Sequence, residues 1–374
     1  MPQAAPSTLA GNTLTGEIVG TSSLTVWSLP STERLARLLR RAGATAGSTA
    51  ERCILLRADW VYDEVLVKAL ARRAADCVLV GAGGECVAIN IAAVRGAEAR
   101  ESLARGEAPR DLPRLDAATL AGNYNDALRK REPPFLLPLT KENQPEIESR
   151  VFKGSYKGVT DFVTLYFWPR PAQVFTGWCA RLGISPNMVT SLSLVCVLAA
   201  MWCFWHGHFG WGLASAWFMT FLDTVDGKLA RVTLRSSPWG NVYDHSIDLI
   251  HPPFWWWAWM VGLGAVGMAL DQHSLVLWVI VGGYVLQRVE EGIFGLCFKM
   301  DMHVWQRFDS LLRLVTARRN PNLAIVTVAT VFGRPDTGII IVAWWVAICL
   351  VLHAIRLLQA AVARRHGPLR SWLN

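Results

Sequence analysis

Four aspartates recur at short intervals between Phe221 and Asp248, in the stretch FLDTVDGKLARVTLRSSPWGNVYDHSID. Asp223 and Asp226 are three positions apart. Asp244 and Asp248 are four positions apart. On a helix, either spacing puts both carboxylates of a pair on one face. Carboxylates beside apolar segments are costly in a membrane, so this concentration of charge indicates a functional site.

The chemistry that these residues suit is the binding of a hard divalent cation. Two carboxylate-bearing helix faces, if they oppose each other, form a cage of oxygen ligands for Mg²⁺ or Mn²⁺, and several carboxylates can hold two ions. We predict the ligands Asp223, Asp226 and Asp244, with Asp248 completing the cage. The alternative is a solvated loop on which the carboxylates pair with Lys228, Arg231 and Arg235.

Six apolar segments surround this stretch and must position it. They span residues 187–205, 210–233, 241–269, 275–297, 321–334 and 337–358. A helix needs about 20 residues to cross the hydrocarbon core, so the fifth segment is short. Loops rich in Lys and Arg alternate with loops that lack them, which predicts that both termini and the aspartate turn face the cytoplasm. We therefore expect an all-α, six-helix transmembrane domain over residues 184–374.

The preceding part of the chain predicts a small cytoplasmic α/β domain over residues 21–110. The segment TERLARLLRRAG reads as a helix capped by Ser31 and ended by Gly43. DCVLVGAG and ECVAINIAAV read as two strands that turn at Gly84. Strands that alternate with amphipathic helices favour a partly parallel sheet. This multi-domain fold class combines an α/β domain with an all-α membrane domain.

Three further segments complete the predicted organisation. Residues 1–20 are rich in Ala, Thr, Gly and Pro, and we expect them to be disordered. Residues 111–158 are polar and contain several prolines, which predicts a linker. Residues 159–183 carry apolar side chains at helical spacing with Trp and Arg beside them, which predicts a helix in the headgroup layer. The alternative is an amphipathic helix packed on the first domain.

Composition supports a membrane protein with a soluble part. Hydrophobic residues make up 52% of the chain and charged residues 18%. The net charge of +8 is compatible with nucleic-acid binding. No basic run is interleaved with aromatic residues, however, and the basic residues cluster beside apolar segments, so we exclude a nucleic-acid partner. The eight cysteines show no CxxC spacing, and no signal peptide begins the chain.

The aspartate stretch resembles the signature of the CDP-alcohol phosphotransferase (CDP-alcohol phosphatidyltransferase) family. It reads Asp-x-x-Asp-Gly-x-x-Ala-Arg, then eight residues, then Gly-x-x-x-Asp-x-x-x-Asp. All eight fixed positions match: Asp223, Asp226, Gly227, Ala230, Arg231, Gly240, Asp244 and Asp248. The resemblance implies an integral-membrane enzyme that transfers a phosphoryl-alcohol group from a CDP-alcohol to an acceptor hydroxyl and releases CMP. It also implies Asp248 as general base, residence in a bacterial-type plasma membrane, and a possible homodimer.

The same signature suggests where the donor binds. Gly227 and Gly240 have no Cβ, and Ala230 keeps the face shallow, so these residues can line a slot for cytidine and phosphate beside Asp223. Arg231 is placed either to steady the diphosphate or to pair with a ligand aspartate. Asn187 lies in Ser-Pro-Asn-x-x-Thr, which is similar to the family's entry to the first span. It is either a nucleotide contact or a plain helix start.

The acceptor is less well defined by the sequence. Arg288, Arg318 and Arg319 lie in or beside apolar segments, and we predict that they shape the acceptor pocket, since arginine suits a phosphate ester. The alternative for Arg288 is a structural ion pair with Glu291. The donor is either CDP-diacylglycerol or a CDP-polyol. The acceptor is a small alcohol or a polyol, with or without a phosphate, and membrane lipid is the remaining partner.

Two other readings compete with the enzyme. A transporter with intramembrane carboxylates predicts a repeat between the halves of the domain, and the sequence contains none. A non-catalytic scaffold is disfavoured by the intact signature. The N-terminal segment is similar to nucleotidyltransferases, with Asp59 in the position of the metal-binding carboxylate. It lacks a Gly-rich phosphate loop, which predicts a degenerate, inactive domain.

Overall fold

The computed structural model describes residues 14–45 and 50–373. Two compact units divide the chain. The first contains the residues up to Asn125, then Arg131–Gly154 and Val232–Leu234. The second contains Asp126–Lys130, Ser155–Arg231 and Arg235–Asn374. The α/β character of the N-terminal part and the helical character of the C-terminal part are confirmed.

The N-terminal part of the chain is built from short strands and helices. In chain order they are β1 (Leu14–Val19), β2 (Thr25–Val26), β3 (Leu29–Pro30), α1 (Ser31–Arg41), β4 (Arg52–Arg57), β5 (Trp60–Tyr62), α2 (Glu64–Arg72), β6 (Cys77–Val80), β7 (Cys86–Ala92), α3 (Gly96–Ala104), β8 (Arg114–Leu115), α4 (Ala117–Ala121), β9 (Tyr124–Asn125), β10 (Lys130–Arg131), β11 (Leu136–Pro138) and α5 (Gln144–Gly154).

A mixed sheet with the order β1-β4-β7-β6-β8 forms the centre of the first unit. β1 runs parallel to β4, and β7 runs antiparallel to both β4 and β6. Ile54 and Leu56 of β4 join the core beneath α1 and α2, whereas Leu55 joins the core beneath α3. Because successive strand residues face opposite sides, burial of both faces explains the continuous apolar run in β4.

Two predicted boundaries differ from the structure. Residues 14–19, within the segment expected to be disordered, form edge strand β1. Gly16 in this strand allows α1 to pack closely against it, since a Cβ at this position would lie only 2.9 Å from Leu39 Cδ2. Residues 111–158, expected to be a linker, contain short elements, and β11 pairs with β5. Prolines in short edge strands explain why the sequence did not show them.

The second unit is helical. After a π-helical turn at Val163–Phe167 it contains α6 (Pro169–Arg181), α7 (Pro186–Trp205), α8 (Phe209–Val232), α9 (Pro238–Ala265), α10 (His273–Phe298), a 3₁₀ turn at Met302–Val304, α11 (Arg307–Val315), α12 (Arg319–Val331) and α13 (Pro335–Arg364). The six predicted spans therefore coincide with helices α7 to α10, α12 and α13. The predicted interfacial helix is divided between the π-helical turn and α6.

Two of these helices, Pro186–Trp205 and Pro335–Arg364, are long and apolar enough to cross a membrane unaided. α8 and α9 carry the aspartates, and α12 has only 13 residues. The six-span count therefore remains a prediction.

α7 and α9 are in close backbone contact near the ends that lie far from the aspartates. A Cβ at Gly262 would lie 1.8 Å from the carbonyl oxygen of Phe204, so only glycine allows this approach of the two backbones. Trp255 adds a hydrogen bond from its indole Nε1 to the carbonyl oxygen of Val197, at 3.0 Å. The helices that carry the site are thus held together by backbone contact and by a buried indole.

Candidate active site

Three of the four signature aspartates meet at one place in the second unit. Asp223 and Asp226 lie on α8, and Asp244 lies on the next helix, α9. Carboxylate oxygens from the three side chains lie within 4.8 Å of one another. α9 starts with a Ser237 cap, whose hydroxyl accepts a hydrogen bond from the Gly240 amide at 3.0 Å. The short connection from α8 to this cap sets the two carboxylate-bearing faces against each other.

Asp226 is the most deeply held member of this group. It is 3% exposed, and its Oδ2 accepts a hydrogen bond of 2.6 Å from the Thr190 hydroxyl on α7. The same hydroxyl also lies 3.1 Å from the carbonyl oxygen of Pro186, so its single proton is shared between two acceptors, with the shorter contact to Asp226. A hydrogen bond of this kind orients a ligand carboxylate and keeps its other oxygen available.

Asp248 occupies a different position from the one predicted. Its Oδ1 accepts a hydrogen bond from Nη1 of Arg319, the first residue of α12. The other guanidinium nitrogen, Nη2, lies 2.5 Å from Oδ2 of Asp223. The structure thus pairs Asp248 with an arginine and leaves it outside the close group of three carboxylates. Arg319, predicted to shape the acceptor pocket, bridges α8 and α9 through these two carboxylates.

The close group of three carboxylates fits a divalent cation. Its donors are all oxygens, which Mg²⁺ and Mn²⁺ prefer, and adjacent oxygens around one such ion lie roughly 3 to 4 Å apart. The ligand oxygens of the three carboxylates all lie within 4.8 Å of one another, near enough for one ion to draw them together. The alternative of a solvated loop is wrong, because the carboxylates lie on helices. Lys228 also turns away, with its Nζ 3.3 Å from the Tyr156 ring centroid.

Gly240 and Asn187 lie together at the start of α9 and α7. A Cβ at Gly240 would lie 2.6 Å from Asn187 Oδ1 and 3.1 Å from Ser237 Oγ. A Cβ at Gly227 would lie 3.1 Å from Nη2 of Arg231, on the same helix. The two glycines therefore make room for neighbouring polar side chains of this chain. Ala230 follows Asp226 by one helical turn, so it shares that face.

The arginines predicted for the acceptor take part in two different clusters. Arg318 places Nη2 at 2.6 and 2.5 Å from the two oxygens of Glu291, and Arg288 lies 3.2 Å from the same carboxylate. The predicted alternative, an ion pair of Arg288 with Glu291, is present. A cavity between the helices is lined by Arg318 and Arg319 together with Tyr284, Asn322, Trp255 and Trp256, among others.

Sequence reasoning missed a group of possible metal ligands around Glu291. Ligand atoms of Glu291, His303 and His353 lie within 4.8 Å of one another. An arginine nitrogen already fills this place, because Nη2 of Arg318 contacts Glu291 and lies 3.3 Å from His303 Nε2. Burial lowers the pKa of His303 to about 4, so the ring is neutral. The members come from three separate elements, and no spacing could have revealed them.

His251 is a second residue that sequence reasoning missed. It follows Asp244 by seven positions and Asp248 by three, which places all three on one face of α9. Its ring is 5% exposed, and Nδ1 lies 2.7 Å from the carbonyl oxygen of Ile247. The spacing was visible in the sequence. His245, by contrast, is exposed, and its Nδ1 lies 2.9 Å from the carbonyl oxygen of Asn241.

The signature and its geometry agree with one protein family. Residues 183–307 match the model of the CDP-alcohol phosphatidyltransferase family. That range contains the eight signature positions, from Asp223 to Asp248. This part of the chain is a CDP-alcohol phosphatidyltransferase domain, as the resemblance predicted.

Similar curated proteins are phosphotransferases of lipid synthesis. A phosphatidylinositol phosphate synthase of Streptomyces avermitilis is 35% identical over 85 residues, which cover 22% of this chain and 35% of that protein. Ethanolaminephosphotransferase 1 of Pongo abelii is 27% identical over 183 residues, which cover 41% of this chain and 44% of that protein. A phosphatidylinositol phosphate synthase of Mycobacteroides abscessus is 28% identical over 116 residues, which cover 29% of this chain and 52% of that protein. The matches span about a third to a half of these relatives.

Proposed function

We propose that this protein is a metal-dependent, integral-membrane CDP-alcohol phosphotransferase that acts in phospholipid or phosphodiester synthesis. The observation that carries the proposal is the convergence of Asp223, Asp226 and Asp244 from two helices, with oxygens within 4.8 Å of one another. The alternative of a transporter with intramembrane carboxylates does not explain why all eight signature positions are present. The match of residues 183–307 to the family model adds independent support.

The three carboxylates would hold Mg²⁺ or Mn²⁺, with Thr190 orienting Asp226. A bound divalent cation supplies charge stabilisation for the phosphates as the P–O bond to CMP breaks. Gly240, Asn187 and Arg231 border the proposed donor slot, and the arginine suits the diphosphate.

Asp248 is the proposed general base. Arg319 holds its Oδ1, which fixes the carboxylate while Oδ2 stays outside that bond. An acceptor hydroxyl placed against Oδ2 can give up its proton as it attacks the phosphorus. The proton transfer therefore requires an acceptor hydroxyl that binds against Oδ2.

We propose an acceptor that is a small alcohol or a polyol phosphate. Arg318 and Arg319 line a small cavity between the helices, and their guanidinium groups would favour an anionic acceptor that can exchange with the carboxylates they now contact. The phosphatidylinositol phosphate synthases among the relatives support a polyol phosphate, whereas the ethanolaminephosphotransferases support a small CDP-alcohol as donor. The proposed donor remains one of two kinds, CDP-diacylglycerol or a small CDP-alcohol such as a CDP-polyol.

The proposed setting is a plasma membrane crossed several times, with both termini in the cytoplasm and a homodimer as the assembly. The N-terminal α/β domain is proposed to be an inactive relative of nucleotidyltransferases. Asp59, which would be its metal ligand, is held by Arg57 through hydrogen bonds of 3.0 and 2.5 Å. A carboxylate neutralised in this way is a poor cation ligand.

Release of CMP tests the proposed function. Purified protein with Mg²⁺, a labelled CDP-alcohol and an acceptor should release CMP, and Asp248→Asn should abolish the release because the base is lost. Asp271→Asn, in an exposed turn, is the matched control and should retain full activity. Release of CMP without a divalent cation, or full activity in Asp223→Ala, would contradict the mechanism.

A further inference from the structure

The four signature aspartates are divided between two kinds of partner. Asp223, Asp226 and Asp244 bring their oxygens within 4.8 Å of one another, whereas Asp248 is paired with Arg319. Asp223 belongs to both arrangements, because its Oδ2 also lies 2.5 Å from Arg319 Nη2. A two-metal centre has the same plan, with ions about 3.5 to 4 Å apart that share a carboxylate between them.

Arg319 is held in place and already desolvated. Its side chain is 16% exposed, and it reaches the aspartates from the start of α12. Nη1 also lies 3.5 Å from Met219 Sδ on α8. The guanidinium is planar and stays charged at any working pH, so its two nitrogens can bridge two carboxylates as a permanent cation. No reorganisation is needed to place positive charge between Asp223 and Asp248.

A second divalent cation is disfavoured at this position for two reasons. The oxygens it would use, Oδ2 of Asp223 and Oδ1 of Asp248, each accept a hydrogen bond from Arg319. A divalent ion placed there would also lie within a few ångströms of a guanidinium, and like charges repel strongly where solvent screening is weak. The sequence alone favoured two ions because it could not show this arginine.

We infer that Arg319 takes the place of a second metal ion, so that each chain binds one divalent cation, on Asp223, Asp226 and Asp244. This inference rests on the proposed metal site and refines it. The arginine supplies the fixed charge beside Asp248 that a second ion would otherwise supply, and the first cation remains exchangeable.

Metal stoichiometry tests the inference without an activity assay. Full-length protein purified in detergent and stripped with a chelator is titrated with Mn²⁺, and the free ion is followed by electron paramagnetic resonance. We expect one bound Mn²⁺ per chain in the wild type. Arg319→Gln frees the two carboxylates and should bind two Mn²⁺ per chain. Arg318→Gln removes the neighbouring arginine, which contacts Glu291, and should still bind one.

Two results would overturn the inference: two equivalent Mn²⁺ ions in the wild type, or a single ion in a folded Arg319→Gln variant. If that variant does not fold, the spectrum of the wild-type protein still tests the inference. Saturated with Mn²⁺, it should show the spectrum of isolated ions, and spin coupling between two close ions would refute the inference. Failure of the proposed metal site is distinguishable, because the wild type would then bind no Mn²⁺ and Asp226→Asn would change nothing.

Discussion

Arg318 and Arg319 are adjacent in sequence, yet they serve two ionic clusters of opposite character. The cage around Asp223 has four carboxylates and one bridging arginine. The cluster around Glu291 has one carboxylate that contacts two arginines, with His303 beside it. The first has an excess of negative charge and needs a further cation. The second has one positive charge in excess, because two arginines contact one carboxylate and His303 is neutral, so it attracts no further cation. The difference shows that charge balance, more than the presence of metal-ligating residue types, distinguishes the reactive cluster from the structural one.

Loss of a cage carboxylate should have the largest effect on activity. Asp226→Asn removes a proposed ligand while keeping the shape and the bond to Thr190, so kcat/KM should fall by about 1000-fold or more. The measurement is CMP release at saturating Mg²⁺. Glu290→Gln, a partly buried carboxylate of α10 outside the cage, is the control and should cost far less. Equal losses in the two variants would mean that activity does not depend specifically on the cage carboxylates.

Loss of Glu291 should affect stability more than chemistry. Glu291→Gln leaves Arg288 and Arg318 without their carboxylate, and removal of one partner from a buried pair costs about 3–5 kcal/mol. Thermal unfolding in detergent should show a clearly lower midpoint at constant metal concentration. Glu98→Gln, in an ion pair whose carboxylate is 71% exposed, is the control and should change little. An unchanged midpoint for Glu291→Gln would mean that this cluster is not structural.

Loss of the hydroxyl that orients a cage carboxylate should have an intermediate effect on metal affinity and activity. Thr190→Val removes the hydroxyl that orients Asp226, and such changes weaken metal affinity or activity by about 10- to 100-fold. Mn²⁺ titration and CMP release measure the two quantities. Thr330→Val is the control, since its hydroxyl bonds the Val326 carbonyl on α12. Wild-type affinity in Thr190→Val would show that the hydroxyl does not tune the metal ligand.

A substitution in the proposed donor slot should have the smallest effect on activity. Gly240→Ala places a Cβ 2.6 Å from Asn187 Oδ1, and overpacking of this kind costs about 1 kcal/mol or more. We expect a rise of about fivefold in KM for the CDP-alcohol, with kcat little changed, from steady-state kinetics. Gly264→Ala on the same helix has open space around it and is the matched control. A normal KM for Gly240→Ala would remove this glycine from the donor slot.

The sequence predicted the elements of the site better than its long-range partners. The intervals between Asp223 and Asp226 and between Asp244 and Asp248 are set by helical periodicity, so a local pattern was sufficient. Arg319 contacts Asp223 from a helix that is distant in the sequence. The sequence could not predict which carboxylates Arg319 would contact, because no local pattern determines a contact between residues so far apart. Charge at the ends of apolar segments indicated a functional arginine without indicating which carboxylate it bridges.

The N-terminal domain shows the same limit. The hairpin that turns at Gly84 was predictable from two apolar runs and a glycine with positive φ. Strand β1 was missed because an edge strand with Gly16 in it has a weak β signal, and its pairing with β4 supplies the missing stabilisation. The short strand β11 was missed because prolines dominate its surroundings.

The contact of Gly262 with Phe204 has a consequence for turnover. Backbone meets backbone at this crossing, so no side chain can rotate aside to let α7 and α9 separate. We therefore expect α7 and α9 to stay joined at the ends that lie far from the aspartates. In the proposed enzyme, any widening of the slot for donor entry or CMP release would then come from the opposite ends of these helices, near Asn187 and Gly240.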